Sequence, residues 1–338
     1  MKTLVCVTPG KFEFISNEKP ILQKGCAIIR IRRMGICGTD LHAYEGTQPY
    51  FTYPRVLGHE LAGELVEFDD APGFKVGETV SFIPYFNCGS CIACRTGKPN
   101  CCINLKVCGV HVDGGMTEYL SVPSYSLLHG GGLSLDELSL MEPLAIGAHG
   151  VRRACVTEEE YILVIGAGPI GLGTMEFARI AGGNVIALDV NEKRLQFCKN
   201  NLNIKNCINA LAPDVVQQLM EITNGDMPTV VIDATGNLKA INNAFQYMAH
   251  GAQYVLIGLQ KENISFSHPA FHKKEGTLMS SRNATREDFE HVRRSLKAGY
   301  INPTNYITHR VSFNRVIDNF ESWLNPANGV IKAMVELD

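Results

Sequence analysis

Residues 161–182 read YILVIGAGPIGLGTMEFARIAG, an apolar run, a turn holding three glycines and an apolar-periodic segment in immediate succession. Strand, glycine turn, helix is the reading, because the run has strand length and the spacing after the turn has helical period. In G-A-G-P-I-G the first glycine, Gly166, allows the tight turn, Gly168 lets the backbone approach a pyrophosphate, and Gly171 lets the helix pack closely on the strand. Pro169 and Ile170 fall between the last two glycines and join the expected cofactor contacts. Phosphates belong at the helix N-terminus, where unpaired N–H groups and the positive end of the dipole favour an anion. Asp189 closes the next strand, NVIALD, 18 positions after Gly171. Its carboxylate accepts hydrogen bonds from ribose hydroxyls and repels a 2′-phosphate, so NAD rather than NADP is the expected cofactor. Arg194, in the helix that follows, is placed over the adenine, whereas Asp233 in VIDATG reads as a strand-end residue supporting its own turn.

The alternation continues through KRLQFCKNNLN, CINA, VVQQLMEITNG, TVVIDATG, INNAFQYMAHG, QYVLIGL and TLMSS. Six short strands with helices between them predict a doubly wound parallel sheet over 145–282. Earlier runs such as CAIIRIRR, ELAGELVEF, GETVSFIPY and TEYLSVP are β-branched, alternating and divided by Gly and Pro, which predicts a β-rich domain. The tail has a helical EDFEHVRRSLKAG and a strand-like GVIKAMVEL, which cannot extend a nucleotide sheet that already ends at its usual last strand. Residues 1–144 and 283–338 are therefore expected to form one domain with 145–282 inserted, leaving a cleft where small-molecule sites commonly lie.

The chain has 338 residues, a formal net charge of -3 and twelve cysteines spread over its length, which is not a small disulfide scaffold. Its first residues, MKTLVCVTPG, lack the apolar core of a secretory signal, so a cytoplasmic location with reduced thiols is expected. No run approaches the ~20 apolar residues of a membrane span. No basic block suggests a nucleic-acid partner. Residues 88–102 nevertheless read CGSCIACRTGKPNCC, five cysteines in one loop. Cys88, Cys91 and Cys94, with a fourth at Cys101 or Cys102, have the spacing of thiolates around one tetrahedral zinc. Four sulfurs leave no position open for substrate, so this site is read as structural, closing a lobe with too few apolar groups to fold unaided.

A second set of donors is of another kind. GICGTDLH at 35–42, LGHELAG at 57–63 and MEPLA at 141–145 present Cys37, His59, Glu60 and Glu142. One sulfur, one imidazole and one or two carboxylates make a mixed set typical of catalytic zinc with an open position.

In this order, GICGTDLH, LGHELAGE, the cysteine lobe, MEPLA and VIGAGPIG resemble the zinc-containing medium-chain alcohol dehydrogenases over essentially the whole chain. The glutamate in MEPLA resembles the branch of sorbitol, L-threonine and sugar-acid dehydrogenases. That resemblance implies an α/β architecture, a GroES-like β-rich catalytic domain plus a doubly wound Rossmann domain, in a homodimer or homotetramer. It also implies NAD and two zinc ions per chain. Cys102 becomes the fourth sulfur of the lobe, and the catalytic ligands fall on Cys37, His59 and either Glu60 or Glu142. Thr39 resembles the first proton acceptor and His42 the later member of the proton path, while Asp40 is placed behind His59, accepting its other ring N–H.

The substrate implied is the secondary alcohol of a polyol or sugar acid. Sorbitol dehydrogenases commonly carry an aromatic residue after the histidine of the first motif, whereas this chain has Ala43, with aromatics displaced to Tyr44, Tyr50 and Phe51. Arg282 in SSRN matches an arginine that faces the polyol in those enzymes, and an arginine there holds a carboxylate equally well by two parallel hydrogen bonds. YEGTQPYFTYPRVLGHE resembles dehydrogenases of hexonic acids, which puts a sugar acid first and L-threonine second. A zinc-ribbon nucleic-acid binder would need a basic face, and a non-catalytic cofactor-binding relative would have lost the Cys37, His59 and Glu142 set.

Overall fold

The computed structural model describes residues 1–49 and 51–337, so Tyr50 lies outside the described residues. The chain divides into two compact units, Met1–Glu142 with Arg293–Asp338, and Pro143–Val292.

In the second unit, six described strands form a parallel sheet in the order Asn206–Asn209, Asn184–Asp189, Tyr161–Ile165, Val230–Asp233, Gln253–Leu256, Thr277–Ser280. All five pairings are parallel. The order reverses between Tyr161–Ile165 and Val230–Asp233, and ligands of such sheets bind beyond the strand ends at that reversal. Ile162, Leu163 and Val164 are wholly buried, which is why the run reads as continuously apolar rather than alternating. Residues 283–292 group with this unit rather than with the tail. Asp288 accounts for that. Its carboxylate lies 2.8 Å from His149 Nδ1 and accepts from Arg152 Nε at 2.7 Å, fastening the start of the Arg286–Lys297 helix to the Met141–Arg153 helix.

The first unit carries a sheet of seven described strands, running Ile307–Ser312, Lys332–Glu336, Cys26–Gly35, Glu60–Phe68, Thr79–Phe82, Leu127–His129, with Tyr119–Pro123 also paired to Cys26–Gly35. The strand near the chain's end thus pairs antiparallel with an early one, Met334 opposite Gly35, and Gly35 in turn lies opposite Glu60. This register brings Lys332, Glu60 and the chain just before Cys37 together. Gly35 has no substitute there, because a Cβ would stand 2.1 Å from Glu60 Oε2. Beneath the sheet Leu4, Ile29, Ile31, Met34, Leu57 and Leu61 are buried in one core that holds the donor-bearing loops rigid.

Candidate active site

Cys37 ends the turn after the Cys26–Gly35 strand and N-caps the helix Gly38–Glu45, with Asp40 accepting the Cys37 N–H at 2.9 Å. Glu60 begins the strand Glu60–Phe68, and His59 immediately precedes it. Cys37, His59 and Glu60 each offer a ligand atom, and these atoms lie within 4.8 Å of one another. Glu142 is not in that trio. It stands beside it, close enough that its charge acts on His59, with its Oε1 accepting a hydrogen bond from the Tyr85 hydroxyl. Glu60 is clasped by Lys332, whose Nζ donates to both carboxylate oxygens at 2.6 Å and to the Ile36 carbonyl at 3.0 Å. Lys332 and Glu60 are 2% and 0% exposed, so neither charge is shared with water.

The electrostatics show what this buried place lacks. Burial pushes the carboxyls of Asp40 and Glu142 above their ordinary range. Burial also opposes a charged His59, yet Asp40, Cys37 and Glu142 outweigh it and hold the imidazolium well above its usual range. Burial likewise opposes a charged Lys332, but Glu60, Cys37 and Glu142 together outweigh it and favour the ammonium. Anionic groups therefore crowd a site with one ammonium, and a divalent cation is the natural complement. His59 Nδ1 is buried without a hydrogen-bond partner among the described residues. Asp40 Oδ1 lies 3.8 Å from it, outside hydrogen-bond reach. The expected Asp40 to His59 hydrogen bond is thus not made. Asp40 instead accepts from the backbone of Cys37 and from Gly58 N–H at 3.1 Å, fixing both loops that carry ligands. This donor set fits zinc.

Thr39 is half-buried in the same helix, one residue before Asp40. His42 lies at its solvent end, 63% exposed at the side chain, with Nδ1 3.2 Å from the Thr47 hydroxyl and 3.4 Å from Glu45. The helix stops at Gly46 in the left-handed conformation, φ 76.

The cysteine lobe gathers Cys88, Cys91, Cys94 and Cys102, all four sulfurs within 4.8 Å. Cys88 and Cys102 sulfurs are 3.4 Å apart, as are those of Cys91 and Cys94. Zinc at ~2.3 Å from each sulfur of a tetrahedron would set them about 3.8 Å apart, so the lobe fits that ion with little movement. Backbone and hydroxyl hydrogen bonds from Ser90 bring the Cys88 thiol down to about 5, while burial pushes Cys102 up to about 11. Cys101 is exposed and outside the set.

In the second unit the helix Pro169–Ile180 starts at Gly168, with Pro169 in its first turn and Ile170 next. Gly166 has φ +97, and a Cβ on Gly171 would lie 1.7 Å from the Gly166 carbonyl oxygen, so both positions require glycine. A Cβ on Gly168 would meet only Arg194 Nη1, at 3.9 Å. The turn is open there, and the guanidinium overhangs it. Asp189 accepts the Ala167 N–H at 2.6 Å and the Asn191 N–H at 2.8 Å, one on each oxygen. Each oxygen keeps a lone pair for a ribose hydroxyl. Asp233 accepts from Thr235 and Gly236, as a turn support does. Arg282 is exposed, two residues past the Thr277–Ser280 strand.

Two residues of this architecture were not singled out by sequence reasoning. Lys332 sits inside the largely apolar GVIKAMVEL, where a charge flanked by apolar residues is the available signal; Tyr85 carries none.

Family models described as an alcohol dehydrogenase GroES-like domain and a zinc-binding dehydrogenase match residues 23–130 and 169–298. The chain is 42% identical to an L-galactonate-5-dehydrogenase of Escherichia coli K12, over 99% of this chain and 98% of that protein. It is 32% identical to an L-threonine 3-dehydrogenase of Caldanaerobacter subterraneus, over 75% of this chain and 74% of that one. Among solved structures, an alcohol dehydrogenase of Escherichia coli CFT073 complexed with NADH superposes with a TM-score of 0.92 at 31% identity, covering 100% of this chain and 99% of the other. No described helix is long and apolar enough to cross a membrane.

Proposed function

Because the chain belongs to the zinc-containing alcohol dehydrogenases, an oxidoreductase family, we propose that it oxidises a secondary hydroxyl of a sugar acid, a hexonate, with NAD as hydride acceptor. The observation that carries the reaction class is the set of half-buried Cys37 with buried His59 and Glu60, and Glu142 beside it. The substrate class rests on the 42% identity to an L-galactonate-5-dehydrogenase, with Arg282 assigned to the carboxylate. Hexitols are the next class, by way of the polyol branch the motifs resemble.

Cys37, His59 and Glu60 or Glu142 would hold zinc, which supplies the Lewis acidity that lets an alcohol lose its proton near neutral pH. Thr39 accepts that proton on its hydroxyl as it releases its own onward, and His42, exposed at the other end of the helix, delivers a proton to water. Lys332 fixes both oxygens of Glu60 beside the reacting hydroxyl. Gly166, Gly168 and Gly171 shape the turn for the cofactor pyrophosphate, and Asp189 holds the ribose with backbone-fixed oxygens. NAD supplies the hydride acceptor. Twelve cysteines, with thiolates required at two centres, support a reducing cytoplasm, and the family supports a homodimer or homotetramer.

The test is a substrate screen following NADH absorbance with hexonates, hexitols, L-threonine and 2-butanol. Hexonates should give the highest kcat/KM, because a hydrogen-bonding pocket rejects analogues lacking its partners far more strongly than an apolar slot rejects a missing methylene. Selective turnover of L-threonine, or of 2-butanol with no hexonate or hexitol oxidised, would overturn the substrate class.

A further inference from the structure

Glu60 and Glu142 are both buried beside Cys37 and His59, but they are held differently. Both oxygens of Glu60 are engaged by one ammonium, that of Lys332. Glu142 receives the Tyr85 hydroxyl on Oε1 alone, so Oε2 is the carboxylate oxygen at this centre not engaged by either of those two donors. Tyr85 is itself 5% exposed and Glu142 7%, which leaves water little share in that contact. The backbone around Tyr85 is equally constrained. Tyr85 pairs with Val107 and Phe86 with Lys106, and the Cys108 N–H donates to the Pro84 carbonyl at 2.9 Å. Two residues past Phe86 the chain reaches Cys88, whose N–H lies 3.3 Å from the Cys102 sulfur. One short ladder therefore carries the four-sulfur lobe at its end and aims a phenol at its base.

We propose that Tyr85 is the positioning residue for Glu142, its hydroxyl fixing one carboxylate oxygen so that the other is presented to the catalytic metal. This rests on the reading of Glu142 as a group facing that metal. Hydrogen bonds from outside the ligand shell orient the ligands and commonly change metal affinity by about 10- to 100-fold. A tyrosine here acts on the metal without touching it.

Cobalt placed in the catalytic centre, with zinc kept in the lobe, reports the ligand field through its visible d–d bands. Tyr85→Phe should shift these bands and raise the rate of cobalt removal by a chelator about tenfold. Glu142→Gln should also shift them, and adding Tyr85→Phe to Glu142→Gln should change nothing further, since coupled residues are not additive. Unchanged bands and release in Tyr85→Phe, with a clear change in Glu142→Gln, would overturn the proposal alone. No change in Glu142→Gln would overturn the placement of Glu142 and the proposal with it. Should Tyr85→Phe fail to fold, 3-fluorotyrosine at position 85 keeps the shape and alters the donor strength; shifted bands support the role, and identical bands refute it.

Discussion

The lobe at 88–102 offers four sulfurs and no carboxylate, whereas the centre around Cys37 offers one sulfur, one imidazole and two carboxylates backed by Lys332, Tyr85 and Asp40. The sulfurs of the lobe are steadied by nearby N–H groups and hydroxyls, and Cys88 is exposed. At the other centre every carboxylate is buried, and each is engaged by a donor that comes from a different part of the chain. Alike donors close around a metal and need little from the protein beyond spacing. Unlike donors leave a position for substrate, and the surrounding fold must then hold the excess negative charge.

The largest effect that separates the two regions should come from removing a catalytic sulfur. Cys37→Ala should lower kcat/KM by about 10³-fold or more, since a Lewis acid supplies several kcal/mol of transition-state stabilisation. Its melting temperature should stay near that of the parent. Cys94→Ser should do the reverse, losing stability and solubility while the folded fraction retains its turnover number. Equal loss of fold in both would erase the distinction.

Next in size is Lys332→Met, which leaves Glu60 buried without its cation. Breaking a buried pair by removing one partner costs about 3–5 kcal/mol, measurable by denaturant unfolding. The companion change Lys332→Met with Glu60→Gln should recover much of that loss. A loss below about 1 kcal/mol would mean that Glu60 does not depend on Lys332.

Acid should then release the two metals in order. Metal binding needs neutral His59, but Asp40 and Cys37 hold its folded pKa well above the usual value, so in metal-free protein the imidazolium is stabilising at low pH and that contribution is lost as pH rises through the folded pKa. Protons therefore compete early at the mixed centre. Cys88 is brought down to about 5 and hydrogen bonds lower Cys91 as well, so two thiolates of the lobe resist protonation although burial raises Cys102, and the lobe should keep its metal to lower pH. Zinc release against pH, followed with a fluorescent indicator, should show two steps with activity lost in the first. The reverse order would contradict the assignment.

The smallest effect lies in the second unit, where no metal is involved. Asp189→Ala should narrow the preference for NAD over NADP by about 10- to 100-fold, the loss of hydrogen bonds to a charged group worth about 1.5–3 kcal/mol. A parent enzyme that prefers NADP would show that Arg194 overrides the carboxylate.

What could be read in the sequence follows the same division. The lobe is one loop with regular spacing, and the fingerprint is one strand, turn and helix, so local pattern suffices for both. The mixed centre depends on contacts far apart in the chain. Lys332 and Glu60 are separated by 272 positions and meet through sheet register, while Tyr85 and Glu142, 57 positions apart, meet where a two-stranded ladder approaches the Met141–Arg153 helix. For that reason sequence left Glu60 and Glu142 equivalent, although one is clasped on both oxygens and the other is held on one. The Asp40 to His59 bond was also expected from motif order alone. The first turn of the Gly38–Glu45 helix places Asp40 closer to the backbone N–H groups of Cys37 and Gly58, and these win its oxygens.

Stepwise removal of zinc from the native enzyme, with metal content, turnover and melting temperature followed on the same samples, tests the two-centre account most directly. Zinc should fall from two per chain to one as activity disappears with the melting temperature unchanged, and only loss of the second zinc should unfold the protein. Activity and melting temperature falling together from the first zinc onward would contradict it.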